Sequence, residues 1–472
     1  MRRYLIPLFA GNAVALASIA VSYVVYSRLL TAQEFGAYAA ALAVGNLAVL
    51  VLDGGIRTSI IKHATALTRA EEGVLLKYML AFSALLLLAL FFGQTAVGRF
   101  YPAASTQTGF VALFAAVYLV TYPWIGLSTA ALERSLAYSH IAWIESIGVV
   151  FERAAPAFFI LLGHFRLGAF VIGLMLGRAV RIILLARLHS VSLVRGPGAS
   201  FAVVRSLLKE GLWFQLGGAA SLVRDNLHVI IVGPLFGALW VGYYAWALQL
   251  CTLASAIFVQ ISSRVSLSVT ARSTQFSERW STVARQLATL TAITAPILAA
   301  VILAAPNLDH MFFGDKWHPA LTLLPLLCAR MIPGIASAPV GMLLLVERGA
   351  SKYAMALWVW TALELAAAYA AVKLIGSYGL AVSYAIAAWF GVFVLAKGIG
   401  VFVPSLFVRI CSIILRRPAL WLSTVVAGVF IISSELSGRS SQVWVASVCG
   451  LLLATVYWVD SDTHTALRGR RA

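Results

Sequence analysis

Residues 75–97 read LLKYMLAFSALLLLALFFGQTAV, an apolar run in which Lys77 is the one charge. A helix needs about 20 such residues to cross the ~30 Å hydrocarbon core of a bilayer. Comparable blocks recur along the chain, down to WLSTVVAGVFIISSEL at 421–436. No soluble domain could hide this much apolar surface. The chain is 61% hydrophobic and 11% charged, whereas soluble domains run near half apolar and a quarter charged. The fold class that follows is an all-α polytopic membrane protein.

The apolar segments predict about fourteen spanning helices, near 4–27, 37–56, 76–98, 109–131, 141–162, 168–187, 211–233, 240–262, 286–306, 318–346, 353–375, 377–402, 418–434 and 442–459. Pro325, Pro333 and Pro339 predict kinks in the tenth. The basic start Met1-Arg2-Arg3 precedes an apolar run too long for a signal peptide and without a clean cleavage site, so it reads as an uncleaved first helix. Charge tests the count. With the N-terminus in the cytoplasm, 25 basic residues fall in cytoplasmic segments, Arg57, Arg134, Arg181 and Arg187 among them, and 6 fall outside. Cytoplasmic loops of membrane proteins collect Lys and Arg, so both ends are expected inside. The net charge of +18 then reflects loop bias and not a nucleic-acid surface. The longest external loop, around 307–317, holds about a dozen residues, too few for an extramembrane catalytic domain. The four cysteines, Cys251, Cys328, Cys411 and Cys449, lack metal-ligand spacing and read as small packing residues. Trp124, Trp240, Trp317, Trp421 and Trp458 fall at span ends, where interface anchoring explains them. The stretch 56–77 carries Arg57, Lys62, Arg69 and Lys77 among apolar residues and reads as a short amphipathic segment or a solvated loop.

The chain also repeats itself at an offset of 206. Gly36, Tyr38, Ala39, Ala41 and Leu42 have identical counterparts in Gly242, Tyr244, Ala245, Ala247 and Leu248. Six helices per repeat give both halves the same orientation, a parallel repeat related by an axis along the membrane normal. The predicted organisation is a six-helix bundle over 1–205, a second over 206–410, and an extra two-helix unit with a basic tail over 411–472. Two such bundles suggest alternating access around a site near the midplane.

The segment Arg28-Leu29-Leu30-Thr31-Ala32-Gln33-Glu34-Phe35-Gly36-Ala37-Tyr38, with Asp53-Gly54-Gly55 closing the second helix, resembles the start of Wzx-type polysaccharide flippases. Phe312-Phe313-Gly314-Asp315-Lys316-Trp317 resembles an external turn of the same family. These belong to the multidrug/oligosaccharidyl-lipid/polysaccharide (MOP) flippase superfamily. The resemblance implies a MATE-like, V-shaped fold in the bacterial inner membrane. It implies transfer of undecaprenyl-pyrophosphate-linked oligosaccharide from the cytoplasmic to the periplasmic leaflet, with no cofactor. Expected partners are that lipid-linked oligosaccharide, membrane lipids, and the polysaccharide polymerase and export machinery. The last two helices depart from the family's common twelve-helix pattern.

Charges inside spans are functional candidates because each costs at least ~2.5–3.5 kcal/mol to insert. Arg153, Arg178, Arg224 and Arg330 lie at mid-depth, as do Glu152, Asp225 and Glu364. A diphosphate crossing hydrocarbon needs its charge compensated, and Arg offers a permanently charged fork of donors that can bind phosphate bidentately. Arg224 leads this set, because the first helix of the second repeat lines the cleft in the resembled fold. Asn12, Asn226 and His228 complete the substrate-binding candidates, with sugars also met by residues such as Gln215. Glu152, Asp225 and Glu364 are proton-coupling candidates, or else the arginines' ion-pair partners. Glu145 and Glu152, seven apart, share one helix face. Adjacent pairs such as Glu152–Arg153 point about 100° apart, so their partners must lie on other helices. Asp53 and Arg57, four apart at a helix end, are expected to form a structural ion pair, and Glu364 and Arg330 could pair across consecutive helices. Two other classes stay open: a MATE-type small-molecule exporter, and a membrane glycosyltransferase or polymerase acting on the same carriers.

Overall fold

The computed structural model describes residues 2–62, 67–100, 108–135, 137–163, 165–191, 201–272, 275–400 and 410–411; the side chains of 2–13, 62, 94–100 and 256–272 are outside that description. Among the described residues every regular element is helical. The order is α1 (Arg2–Leu29), α2 (Ala32–Asp53), α3 (Ile56–Lys62), α4 (Arg69–Phe100), α5 (Thr108–Arg134), α6 (Tyr138–Leu161), α7 (Arg166–Leu188), α8 (Phe201–Asp225), α9 (Gly233–Arg272), α10 (Phe276–Leu308), α11 (His318–Ile375) and α12 (Gly379–Ile399). The first twelve expected spans each fall on helix, while those at 418–434 and 442–459, with the proposed unit 411–472, lie outside the described residues apart from Cys411. Seven helical segments among the described residues are long and apolar enough to cross a membrane. One is the 82-residue run His318–Ile399, which Gly349 and the 3-10 turn Gly376–Tyr378 divide. The non-helical residue within α11 is Gly349, at φ 84° and ψ 173°, a conformation open to glycine. None of the three prolines marks that break.

The chain divides into two compact units, Met1–Ala245 and Trp246–Ala472. The expected boundary at 205/206 falls within α8. In the first unit α6 packs against α1 and α7, α5 lies against α2, α4 and α7, and α8 rests on α3. Its core gathers Leu52, Ile56, Leu75, Leu76, Met79 and Leu207, all buried. The segment 28–38 has a plain local logic. Thr31 caps α2 in a capping box, accepting from the Glu34 amide (3.2 Å) while Glu34 accepts from the Thr31 amide (2.9 Å). This satisfies two amides that a helix N-terminus otherwise leaves without partners. At the other end Gly54 and Gly55 take φ 55° and 83° and turn the chain into α3.

The glycines matched by the repeat touch each other. A Cβ on Gly36 would meet the Ala238 carbonyl oxygen at 1.9 Å, and one on Gly242 would meet the Ala32 carbonyl oxygen at 1.8 Å. Only glycine lets α2 and α9 approach this closely, which explains the identity at both repeat positions.

In the second unit Trp317 is fully buried and stacks on Trp246 at 5.2 Å and 7° between ring planes. Trp317 is therefore a core residue and not an interface anchor, because the chain folds back at Gly314 (φ 65°) and Asp315 (φ 60°). The buried Asp309 carboxylate accepts from the Trp317 amide at 3.1 Å and fixes that fold-back. Cys251 and Cys328, 77 residues apart, meet with sulfurs 3.3 Å from each other.

Candidate functional site

The densest group of charges within helices lies between α6 and α7. Three glycines make it possible. A Cβ on Gly173 would strike Pro156 at 2.3 Å, one on Gly177 would strike Glu152 at 2.3 Å and the Gly148 carbonyl at 2.6 Å, and one on Gly148 would strike Arg181 at 2.1 Å. Small residues four apart on α7 thus bring the helices close enough for short side chains to bridge them. Glu152 reaches two of the arginines of α7, Arg178 at 3.4 Å and Arg181 at 3.2 Å. Glu145, two turns before it on the same face, reaches Arg181 at 3.5 Å. Arg178 also lies over the Tyr118 ring of α5, 4.0 Å from its centroid. Arg178 and Arg181 are both 7% exposed.

Sequence reasoning missed Arg181, which it assigned to a cytoplasmic segment. The structure places it on α7, three residues from Arg178 and on the same face. The available signal was that spacing, matched against two glutamates seven apart on the preceding helix.

Arg153 sits next in sequence to Glu152 but turns to the other side of α6. It donates to the Tyr38 hydroxyl of α2 and its guanidinium lies 5.9 Å from that ring's centroid. Its carbonyl accepts from the Tyr26 hydroxyl of α1. Phe170 of α7 stacks on Tyr38 at 4.1 Å and packs edge-on against Tyr26. Arg153 has no carboxylate within ion-pair distance among the described residues. Arg178 and Arg181 thus share the carboxylates Glu145 and Glu152, while Arg153 beside them is held by Tyr38.

The second unit carries a smaller counterpart. Arg330 lies 3.8 Å from the Tyr384 ring centroid and 3.9 Å from Glu364, which is fully buried. At the repeat offset, Tyr384 of α12 is the counterpart of Arg178 of α7. The two units thus hold the same trio of residue types with arginine and tyrosine exchanged between helices.

The remaining candidates are placed elsewhere. Arg224 and His228 are buried near the end of α8 and the π turn that follows, and neither is without a partner. Asn226 spends its side-chain amide on the Leu222 carbonyl at 2.8 Å, closing α8. Asp225 is exposed. Asn12 falls on α1, with its side chain outside the described residues. Gln215 donates to the Leu50 carbonyl, so it too serves packing. Asp53 and Arg57 are not paired through their side chains. Glu133 of α5 takes the Arg57 guanidinium at 2.6 Å, and Asp53 accepts from the Tyr122 hydroxyl at 2.7 Å and from the Gly55 amide at 3.1 Å. The bends at Gly54 and Gly55 turn the Arg57 side chain toward α5, which overrides the four-residue rule.

Past the end of α7, His189 meets Glu72 at 3.0 Å. The hydrogen bond that His189 donates to the Glu72 carboxylate holds the His189 pKa above its ordinary value. A raised pKa stabilises the fold below the unfolded value of about 6.5, and the contribution fades as pH rises through the folded value. The Tm difference between the wild type and His189→Gln is therefore expected to be largest near pH ~6 and to close toward pH ~9. A difference that stays constant over that range would show that the contact is not charge-assisted.

Comparison with known proteins supplies the family. Residues 25–322 match the family model described as "Polysaccharide biosynthesis protein". The lipopolysaccharide biosynthesis protein WzxC of Escherichia coli (strain K12) is 22% identical over 330 residues, which covers 69% of this chain and 66% of WzxC, just under two thirds of its length. Among solved structures, the lipid II flippase MurJ in an inward closed conformation superposes with a TM-score of 0.74 at 14% identity, covering 99% of this chain and 100% of MurJ. An inward-facing multidrug-resistance MATE transporter of the MOP superfamily gives 0.62 at 13% identity, covering 86% and 98%. These similarities establish a MurJ/MATE-like fold and a multi-pass membrane protein. With the matched region covering well over half of its length, the chain belongs to the polysaccharide biosynthesis protein family.

Proposed function

We propose that this chain is a flippase that carries undecaprenyl-pyrophosphate-linked oligosaccharide from the cytoplasmic to the periplasmic leaflet of the bacterial inner membrane by alternating access. Both ends would lie in the cytoplasm, as the charge bias of the loops supports. The family supports a role in polysaccharide production, and a lipid II flippase shares the fold, so the scaffold suits a lipid-linked cargo.

One observation carries the reading. Arg153 is a guanidinium within α6, about 12 Å from its nearer end, held by tyrosines while its neighbours take the nearby carboxylates. A charge within a membrane span is costly without a partner. The partner this site lacks is an anion, and a diphosphate presents oxygens in the geometry that a guanidinium fork matches. A guanidinium that no carboxylate takes disfavours a cationic cargo. The aromatic group formed by Tyr26, Tyr38 and Phe170 holds Arg153 in place.

Depleting the protein is expected to accumulate the lipid-linked oligosaccharide in the cytoplasmic leaflet, read by lipid extraction and by protection from a glycan-modifying enzyme added from the periplasmic side. An unchanged pool, equally accessible from outside, would remove this reading.

A further inference from the structure

At the end of the unit where α6 begins and α7 finishes, a cavity of about 410 Å³ opens between the two helices. Its walls divide by chemistry. Ser139, His140 and Arg187 supply the polar side, and Trp143, Leu184 and Leu188 the apolar side. None of the three polar side chains has a hydrogen-bond or ion-pair partner among the described residues. Ser139, His140 and the permanent cation Arg187 line the cavity, and among the described residues no carboxylate lines it.

The apolar side does not stop at the cavity. Trp143, Ile147 and Phe151 are 43%, 37% and 43% exposed and recur every four residues along α6. They form an uncovered apolar stripe about 12 Å long. A free inorganic anion would use the polar side alone. A molecule with an anionic head and a hydrocarbon tail uses both. An indole ring at the junction is the side chain that suits a headgroup boundary, and basic pockets between membrane helices are known to take lipid head groups.

We propose that this cavity is a binding site for an anionic phospholipid of the bilayer. Its phosphate is held by Arg187, His140 and Ser139, and one acyl chain lies along Trp143, Ile147 and Phe151. The headgroup end, at Ser139 and His140, lies about three turns along α6 from Glu152 and Arg153, and the site takes structural lipid rather than cargo. The helices it clasps are the two that hold the buried charges, so an ordered lipid here braces their ends.

The test uses the purified full chain in detergent. Phosphatidylglycerol and phosphatidylcholine of the same acyl chains are titrated in, and retained lipid is read by native mass spectrometry. Wild type is expected to retain phosphatidylglycerol about fivefold better, the scale of one cation near an anionic headgroup. Arg187→Gln removes that preference, and Arg205→Gln, an exposed cation on α8, keeps it. Equal retention of the two lipids by wild type, an equal loss in Arg205→Gln, or displacement by inorganic phosphate at matched concentration each overturns the assignment. A second reading needs no change at Arg187. Phosphatidylglycerol brominated in its acyl chains should quench tryptophan fluorescence more than the brominated choline lipid, and the excess should vanish in Trp143→Phe. Quenching that is the same for both lipids, or an excess that persists in Trp143→Phe, likewise overturns it.

Discussion

Replacing Glu152 with alanine is expected to destabilise the protein by about 3–5 kcal/mol, the cost of leaving a buried charge without its partner. Two cations lean on this carboxylate. Arg178 and Arg181 reach it at 3.4 and 3.2 Å, and both are buried. Without it Arg181 keeps only Glu145, whose side chain is 41% exposed and therefore screened by solvent. Arg178 keeps only the Tyr118 ring, worth up to about 2 kcal/mol in a dry setting, so the loss wins. The double variant Glu152→Ala with Arg178→Met removes one charge of each sign and should recover much of the deficit. Thermal unfolding of the purified protein in detergent is the measurement. A single variant that melts with the wild type, or a double variant no better than the single, would show that these charges are solvated and not interdependent.

The sequence made the helices legible because each span is a long apolar block with punctuation between. It also made Glu145 and Glu152 legible as one face, since seven residues are close to two turns. What it hid depends on neighbours distant in the chain. Arg181 lies within the expected 168–187 span but close to its cytoplasmic end, so it counts among the loop charges, and only the apposed glutamates reveal its place. Asp53 and Arg57 have the spacing of an ion pair, yet Glu133 and Tyr122 lie closer in space and take them. Trp317 has the position of an interface anchor, but the fold-back at Gly314 and Asp315 buries it against Trp246. The glycines of the repeat were visible as identities. That Gly36 and Gly242 approach each other's helices is a tertiary fact that no spacing encodes. Asn226 and Gln215 looked like sugar contacts because they are polar residues in apolar spans, and the structure spends both on backbone carbonyls.

Arg153 carries the functional claim. Its neighbours Arg178 and Arg181 are balanced by carboxylates, so their loss would be felt first as instability. Arg153 is held by tyrosines and packing, so its loss should be felt first in transport. A hydrogen bond to a charged group is worth about 1.5–3 kcal/mol, and each 1.36 kcal/mol is tenfold in rate. Arg153→Gln should therefore slow translocation about 10- to 100-fold while the protein melts close to wild type. Arg153→Lys keeps the charge but not the planar fork, and should fall between the two.

The most direct measurement is translocation of a fluorescent lipid-linked oligosaccharide diphosphate in proteoliposomes containing wild type, Arg153→Gln or Arg153→Lys, read as the fraction made accessible across the bilayer with time. The expected order is wild type, then lysine, then a glutamine variant that is folded and nearly inactive. A folded glutamine variant that moves the diphosphate at the wild-type rate would contradict the assignment of Arg153 to the travelling anion.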